Sequence, residues 1–203
     1  MLRGIDISHH NESVVLKNPA MLKSWDFVIM KASEGMLYND SKKARYLSMI
    51  SKYQGVGFYH YARPEINNNP TGEVENFLSA VGDYYIGQAI LALDVEADAL
   101  LYPDIDNWVY DFCKQVYERT DVKPLIYCSE SQCFRFKKAC DFDCGLWCAR
   151  WGESQPRKSK IKPWKFWAIW QNQTGANSLY KVDTDIFNGD INAWFAYAKG
   201  DRA

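Results

Sequence analysis

Two carboxylates separated by one residue, Asp94 and Glu96, close the apolar run Ile90-Leu91-Ala92-Leu93. In an extended chain successive side chains alternate faces, so both acids project the same way, with α-carbons about 6.6–6.8 Å apart. Leu91, Leu93 and Val95 then point to the other face, where a helix can cover them, and Ala92 leaves room beside the acids. A pair of carboxylates at the C-terminal end of a strand suits acid/base work on a bond lying across them. A strand running into a solvated acidic loop would show the same short pattern, and D-x-E alone is a weak motif.

Composition narrows the choice. The 203 residues suit one large domain, and 47% hydrophobic content is enough to build its core. Aromatic residues make up 15%, including 8 Trp and 13 Tyr, a surplus that can line a groove for a flat ligand as well as fill a core. A formal net charge of -1 argues against a nucleic-acid footprint. No apolar stretch reaches the length of a membrane span. Met1-Leu2-Arg3-Gly4 runs straight into strand-like Ile5-Asp6-Ile7, leaving no room for a signal peptide's apolar region, so synthesis in a cytoplasm is expected. Cys113, Cys128, Cys133, Cys140, Cys144 and Cys148 are then expected to be reduced, and the last three lack the C-x2-C pairs of a zinc site.

The elements that must position the acids follow in order. Gly4–Ser8, Phe27–Ala32, Gly55–Tyr61, Ile90–Val95 and Pro124–Tyr127 read as strands. Helices are expected at Val14–Lys23, Asp40–Tyr53, Thr71–Val81 with Thr71 as N-cap, and Asp104–Arg119, with a loop from Pro64 to Pro70. Five β-then-α units in succession argue for parallel strands covered by helices. The rhythm then changes. Gly145–Arg150 and Phe166–Gln171 are strand-like and joined by a polar, basic stretch from Gly152 to Lys165. Only a short connection leads on to Lys181–Phe187, too short for a parallel crossover, so a hairpin-type link is expected there. Asp190–Ala198 reads as a closing helix. The architecture expected is an α/β barrel of roughly eight strands whose last part lacks helices.

In such barrels the active groups sit at the C-terminal ends of strands. That rim collects Asp6, the Asp94/Glu96 pair, and Asp183 or Asp185, which share a face, with Glu34 as a further acid. Tyr59, Tyr61, Tyr127, Trp147 and Trp170 are expected to surround them. A deep, acidic, aromatic-walled groove suits a polysaccharide.

These motifs, in this order, resemble glycoside hydrolase family 25, the Chalaropsis-type lysozymes, over almost the whole chain. The matching segments are Gly4-Ile5-Asp6-Ile7-Ser8, Lys31-Ala32-Ser33-Glu34-Gly35, Gly57-Phe58-Tyr59-His60-Tyr61, Asp94-Val95-Glu96, Trp170-Gln171 and Val182-Asp183-Thr184-Asp185-Ile186-Phe187. Where the family usually has a Gln after the first strand, this chain has His9-His10-Asn11. The resemblance implies a flattened, irregular (β/α)5(β)3 TIM-like barrel that hydrolyses the β-1,4 bond between N-acetylmuramic acid and N-acetylglucosamine. It implies Glu96 as general acid, Asp94 as its partner, and Asp6 and Asp183 as acids that shape the site. No cofactor is expected. Peptidoglycan glycan strands are the expected partner of a monomeric, single catalytic domain over residues 1–203, with no separate wall-binding module and release by a holin-type route, as in phage endolysins.

Two other readings are open to the residues. Asp6, His9, His10, Asp94, Glu96 and Asp183 could hold a divalent ion, although adjacent histidines in an extended segment present only one ring inward. A barrel that binds glycan without cleaving it is the non-enzymatic alternative. The run Arg157-Lys158-Ser159-Lys160-Ile161-Lys162 reads as a solvated loop or as a contact for anionic wall polymers.

Overall fold

Short apolar runs with period-two alternation become the strands of one sheet. The computed structural model describes residues 1–201. Its strands are β1 (Leu2–Ile7), β2 (Phe27–Glu34), the two-residue β3 (Tyr38–Asn39), β4 (Gly55–Tyr61), β5 (Ile90–Asp94), β6 (Leu125–Ser129), β7 (Leu146–Ala149), β8 (Ile169–Gln173) and β9 (Asp183–Phe187). They lie in the order β1-β9-β8-β7-β6-β5-β4-β2-β3, and an additional β1–β2 pairing closes all but β3 into a barrel. Pairing is parallel from β1–β2 round to β7–β8, and β9 runs against both β8 and β1.

The helices are α1 (Glu12–Lys17), α2 (Lys43–Leu47), α3 (Pro70–Val81), α4 (Ile105–Thr120), α5 (Lys137–Asp141) and α6 (Ile191–Lys199). Parallel strands need long crossovers, and α1 to α5 lie within five of them. Residues 150–168, between β7 and β8, carry no helix, and β8 to β9 is the antiparallel turn that the short connection required.

Three helix boundaries differ from expectation. The helix from Val14 stops at Lys17, and a 3₁₀ turn (Pro19–Ser24) follows, because a proline cannot continue the ladder. The long helix expected over Asp40–Tyr53 shrinks to α2. There the Ser48 hydroxyl donates to the Arg45 carbonyl at 2.6 Å, and Gln54 Oε1 accepts the Ser51 amide at 2.6 Å, local bonds that compete with a helical ladder. Thr71 is not the N-cap of α3; Asn69 is, its side chain accepting from the Thr71 amide with Pro70 in the first turn.

Alternation divides the core into two layers. Leu91, Leu93 and Val95 face outward with Val74, Phe77, Trp108 and Phe112 of the covering helices. Ile29, Ile90, Ala92, Leu125 and Ile169 fill the barrel. The N-terminal end is plugged by α6, whose fully buried Trp194 stacks on Phe27 at 4.5 Å and meets Phe187 edge-on at 5.2 Å. Gly55 makes this approach possible, since a Cβ there would lie 2.6 Å from the indole.

Outside the barrel, His60 bridges Ser33 and Glu73 at 2.8 Å each, all three fully buried. Despite its Ser-His-acid order, this array is sealed between sheet and helix. It acts as a strut: Glu73 Oε2 also accepts the Arg63 amide at 3.1 Å and so holds the loop after β4.

Trp194→Ala should cost about 3–5 kcal/mol, the range for deleting a buried aromatic. Urea unfolding measures it, and a loss below about 1 kcal/mol would contradict the plugging role of α6.

Candidate active site

The backbone stays extended beyond the last residue of β5. The Val95 amide donates to the Tyr127 carbonyl at 3.0 Å, and Glu96 has φ -145 and ψ -176. Asp94 and Glu96 therefore remain on one face, and the extended run that continues β5 ends only at Ala97, whose φ of 47 is in the left-handed region that L-residues enter at a cost.

Around the rim, strand register supplies the other acids. Asp6 is the ladder partner of Asp183, and Asp185 that of Gly4, so β1 and β9 bring three carboxylates together inside the barrel. Asp6, Glu96 and Asp183 are half-buried, whereas Asp94 and Asp185 are buried.

One amide organises this cluster. Gln171 on β8 is 2% exposed and uses both ends of its side chain. Its Nε2 donates to Asp6 at 2.8 Å and to Asp183 at 3.3 Å, and its Oε1 accepts from the Tyr127 hydroxyl at 2.9 Å and from Trp151 Nε1 at 3.0 Å. The Gly175 amide holds the other oxygen of Asp183 at 2.5 Å.

Burial dominates the electrostatics, since desolvation disfavours the charged form. It pushes Asp6 up to about 7, helped by the charge of Asp183 and opposed by the hydrogen bonds from Gln171 and Asp185. It likewise raises Asp94 well above the carboxylate range, with Glu96 and Asp6 adding to the rise and Lys31 opposing it. Glu96 is raised by burial and by Asp183. Asp185 is raised well above its ordinary value by burial and by Asp6. Its Oδ1 accepts the Trp147 indole N–H at 2.8 Å, and its buried Oδ2 meets no donor. A protonated Asp185 that donates to Asp6 accounts for both facts. Oδ1 of Asp94 is likewise buried without a donor.

The aromatic wall differs from expectation. Tyr59 and Tyr61 point inward and are half-buried. Tyr127 and Trp147, 7% and 2% exposed, support the acids from beneath and meet edge-on at 4.8 Å. Trp170 lies on the opposite side of β8 from Gln171, packs in the outer layer near Trp167, and donates to the Arg150 carbonyl at 2.6 Å. It is therefore not part of the groove; the aromatic that reaches the rim from that side is Trp151, 60% exposed. Glu34 sits at the edge, paired with Lys31 at 2.6 Å and Arg63 at 2.7 Å. Lys31 is buried beside Tyr61, its ammonium 4.8 Å from the ring centre.

Trp151 is absent from the sequence reading, and Gln171 and Lys31 stand there only within matching segments, with no role of their own. The alternation of β8 carried the signal for Gln171, because Ile169 and Gln171 share a face that Trp170 cannot. His9 does not join the acids; its Nδ1 lies 3.0 Å from Asp40 and 2.8 Å from the Tyr38 hydroxyl. His9 and His10 occupy a 3₁₀ turn with ring centres 3.8 Å apart rather than facing opposite ways. Among the described residues no three His, Cys, Asp or Glu side chains converge as metal ligands.

A barrel that gathers carboxylates at the C-terminal rim, with two projecting from one strand, has the layout of a glycoside hydrolase. The family model for glycosyl hydrolases family 25 matches residues 5–178, and the chain belongs to that family. Among solved structures, a muramidase from Trichobolus zukalii is 26% identical, with 98% of this chain and 99% of that one covered and a TM-score of 0.75. A family GH25 lysozyme from Aspergillus fumigatus gives the same identity, coverage and TM-score. The catalytic domain of endolysin ply40 from bacteriophage P40 of Listeria monocytogenes shares the fold at 23% identity, covering 99% and 98% with a TM-score of 0.67. A search of curated proteins found no match.

Asp185→Asn should stabilise the protein at high pH. The folded-state pKa of Asp185 is raised, so its contribution is present below the unfolded value near 3.8 and is lost as pH rises through the folded value. An amide keeps the Trp147 bond and a donor toward Asp6 without that loss. Thermal melts should show Tm higher by roughly 2–8 °C at pH 8, for a gain of about 1–2 kcal/mol, and nearly unchanged at pH 4. Equal shifts at both pH values would refute the shared-proton assignment.

Proposed function

We propose that the protein is an N-acetylmuramidase that cleaves the β-1,4 bond between N-acetylmuramic acid and N-acetylglucosamine in peptidoglycan, acting on the bacterial cell wall. The observation that carries this reading is the division of Asp94 and Glu96 into a buried and a half-exposed carboxyl on one strand of a family 25 barrel.

Glu96 faces the groove with its pKa raised, so it keeps a proton where an ordinary glutamate has lost it. That suits the general acid that protonates the leaving oxygen. Asp94 lies beneath and keeps 7% of its surface exposed, which leaves its carboxyl within reach of an N–H from the groove. The sugar's 2-acetamido group supplies one. In the free protein burial favours the protonated form of Asp94. As the acetamido oxygen attacks the anomeric carbon, positive charge grows on that group and favours ionised Asp94 instead. Asp94 is then charged when there is charge to match, which is stabilisation specific to the transition state. Asp6 and Asp183, clamped by Gln171, set the field, and Asp6, held near 7, is the nearby carboxyl able to take up the proton released. Water then opens the cyclised intermediate, with Glu96 as the base. Tyr59, Tyr61 and Trp151 offer faces for the sugar rings, and the Glu34–Lys31–Arg63 set offers polar contacts at the edge.

Glu96→Gln should lower release of reducing ends from purified walls by about 10²–10⁴-fold with Tm unchanged, and Asp94→Asn should be nearly as damaging. Near-normal turnover by a folded Glu96→Gln protein would remove Glu96 from the acid role.

The assisted route has its own test, a wall substrate de-N-acetylated at muramic acid, with NMR of the newly released anomer. Hydrolysis of that substrate should fall at least as far as in Asp94→Asn, with the β-anomer released from normal walls. Undiminished hydrolysis, or an inverted product, would leave Asp94 as a base or a direct nucleophile.

A further inference from the structure

A sizeable groove lies away from the acids. It lies on the barrel's flank, where residues 150–168 run beside α5 in place of a covering helix, and it encloses about 610 Å³. A second groove of about 330 Å³ continues it, sharing Phe134 and Lys162.

The segment that forms this wall is anchored. Pro156, Ile161 and Trp164 are buried, the Trp164 indole N–H donates to the Cys144 carbonyl at 2.7 Å, and the Lys160 amide closes a turn onto the Arg157 carbonyl at 2.8 Å. Between the anchors Lys158, Lys160, Lys162 and Lys165 stand exposed, and among the described residues none of them has an ion-pair partner. The nearby acids are already engaged: Glu130 pairs with Arg157 at 2.6 Å and Arg150 at 3.6 Å, and Asp141 pairs with Lys137. The sequence has no Asp or Glu from Ser154 to Val182, in a chain whose net charge is -1. Positive charge is therefore concentrated on this face. Phe134, 69% exposed, lines the same groove, and Phe166, next in sequence to the lining Lys165, is 59% exposed.

Lysines are point charges that grip phosphates without the fixed fork of arginine, which suits a polymer read by charge density. Exposed aromatic rings supply faces for sugar or polyol carbons. We infer that this groove binds the phosphodiester-linked anionic polymers of the bacterial wall and thereby holds the barrel on its insoluble substrate. The inference rests on the muramidase reading only for the presence of such a polymer beside the bond that is cut.

The test is co-sedimentation with purified walls, native or stripped of phosphodiester polymers by hydrofluoric acid. It compares the wild-type protein with a variant carrying Lys158→Glu, Lys160→Glu, Lys162→Glu and Lys165→Glu. Stripping the walls should weaken retention of the wild type roughly ten- to a hundredfold, and the variant should show a similar loss on native walls. Both proteins should hydrolyse a soluble, phosphate-free glycan oligomer at the same rate, which also reports folding. If the charge-reversed variant does not fold, the four Lys→Gln substitutions replace it, with the same direction expected. Equal retention on native and stripped walls, or of variant and wild type, would overturn the inference. So would displacement by a DNA oligonucleotide as effective as that by poly(glycerol phosphate) at equal phosphate concentration. A wild-type protein that leaves the soluble oligomer intact would instead sink the muramidase reading, while the retention comparison stands by itself.

Discussion

Asp6 meets Asp183 because β9 runs against β1, so that the first residue of β9, not its last, reaches the C-terminal rim. Like charges directly opposite each other on an antiparallel pair are destabilising, and here the pair is desolvated as well. The rest of the rim answers that strain. Gln171 donates to both carboxylates, Gly175 holds Asp183, and Asp185 shares a proton with Asp6 while Trp147 steadies its other oxygen. Crowding that costs stability also keeps carboxyls protonated where a solvated acid would be charged, a coupling of function to local instability common at active sites.

The fold was legible wherever an apolar run had a clear period. Strands β1, β2, β4, β5 and β6 lie close to where alternation put them, and Asp94 and Glu96 share a face because a strand permits nothing else. Legibility failed where side chains compete for the backbone. Nothing in residues 40–53 announces that Ser48 and Gln54 will take bonds a helix needs. The site was readable as a set of acids but not as a network. Trp170 drew attention by its size, while the smaller Gln171 next to it has the inward direction. Lys31 has no role assigned by its type, yet it is buried beside Tyr61 and its charge opposes the rise in pKa of both Asp94 and Glu96.

The cysteines take the outer layer. All six are free, and Cys128 Sγ and Cys133 Sγ lie 3.7 Å apart on the side of the sheet away from the acids. Among the described residues no thiol hydrogen-bonds to the rim carboxyls, although the charge of Asp94 is felt at Cys128 and adds to the rise of its pKa.

Asp6, Asp94, Gln171, Asp183 and Asp185 all stand on strands, and Glu96 follows two residues after one. The surface inferred to meet the wall is made instead by a connection, residues 150–168. The carboxyl geometry and the inferred wall contact thus belong to separate parts of the chain, one fixed by ladder register and the other carried on a connection. On that reading, exchanging the segment after β7 would change what the barrel adheres to without resetting a single carboxyl.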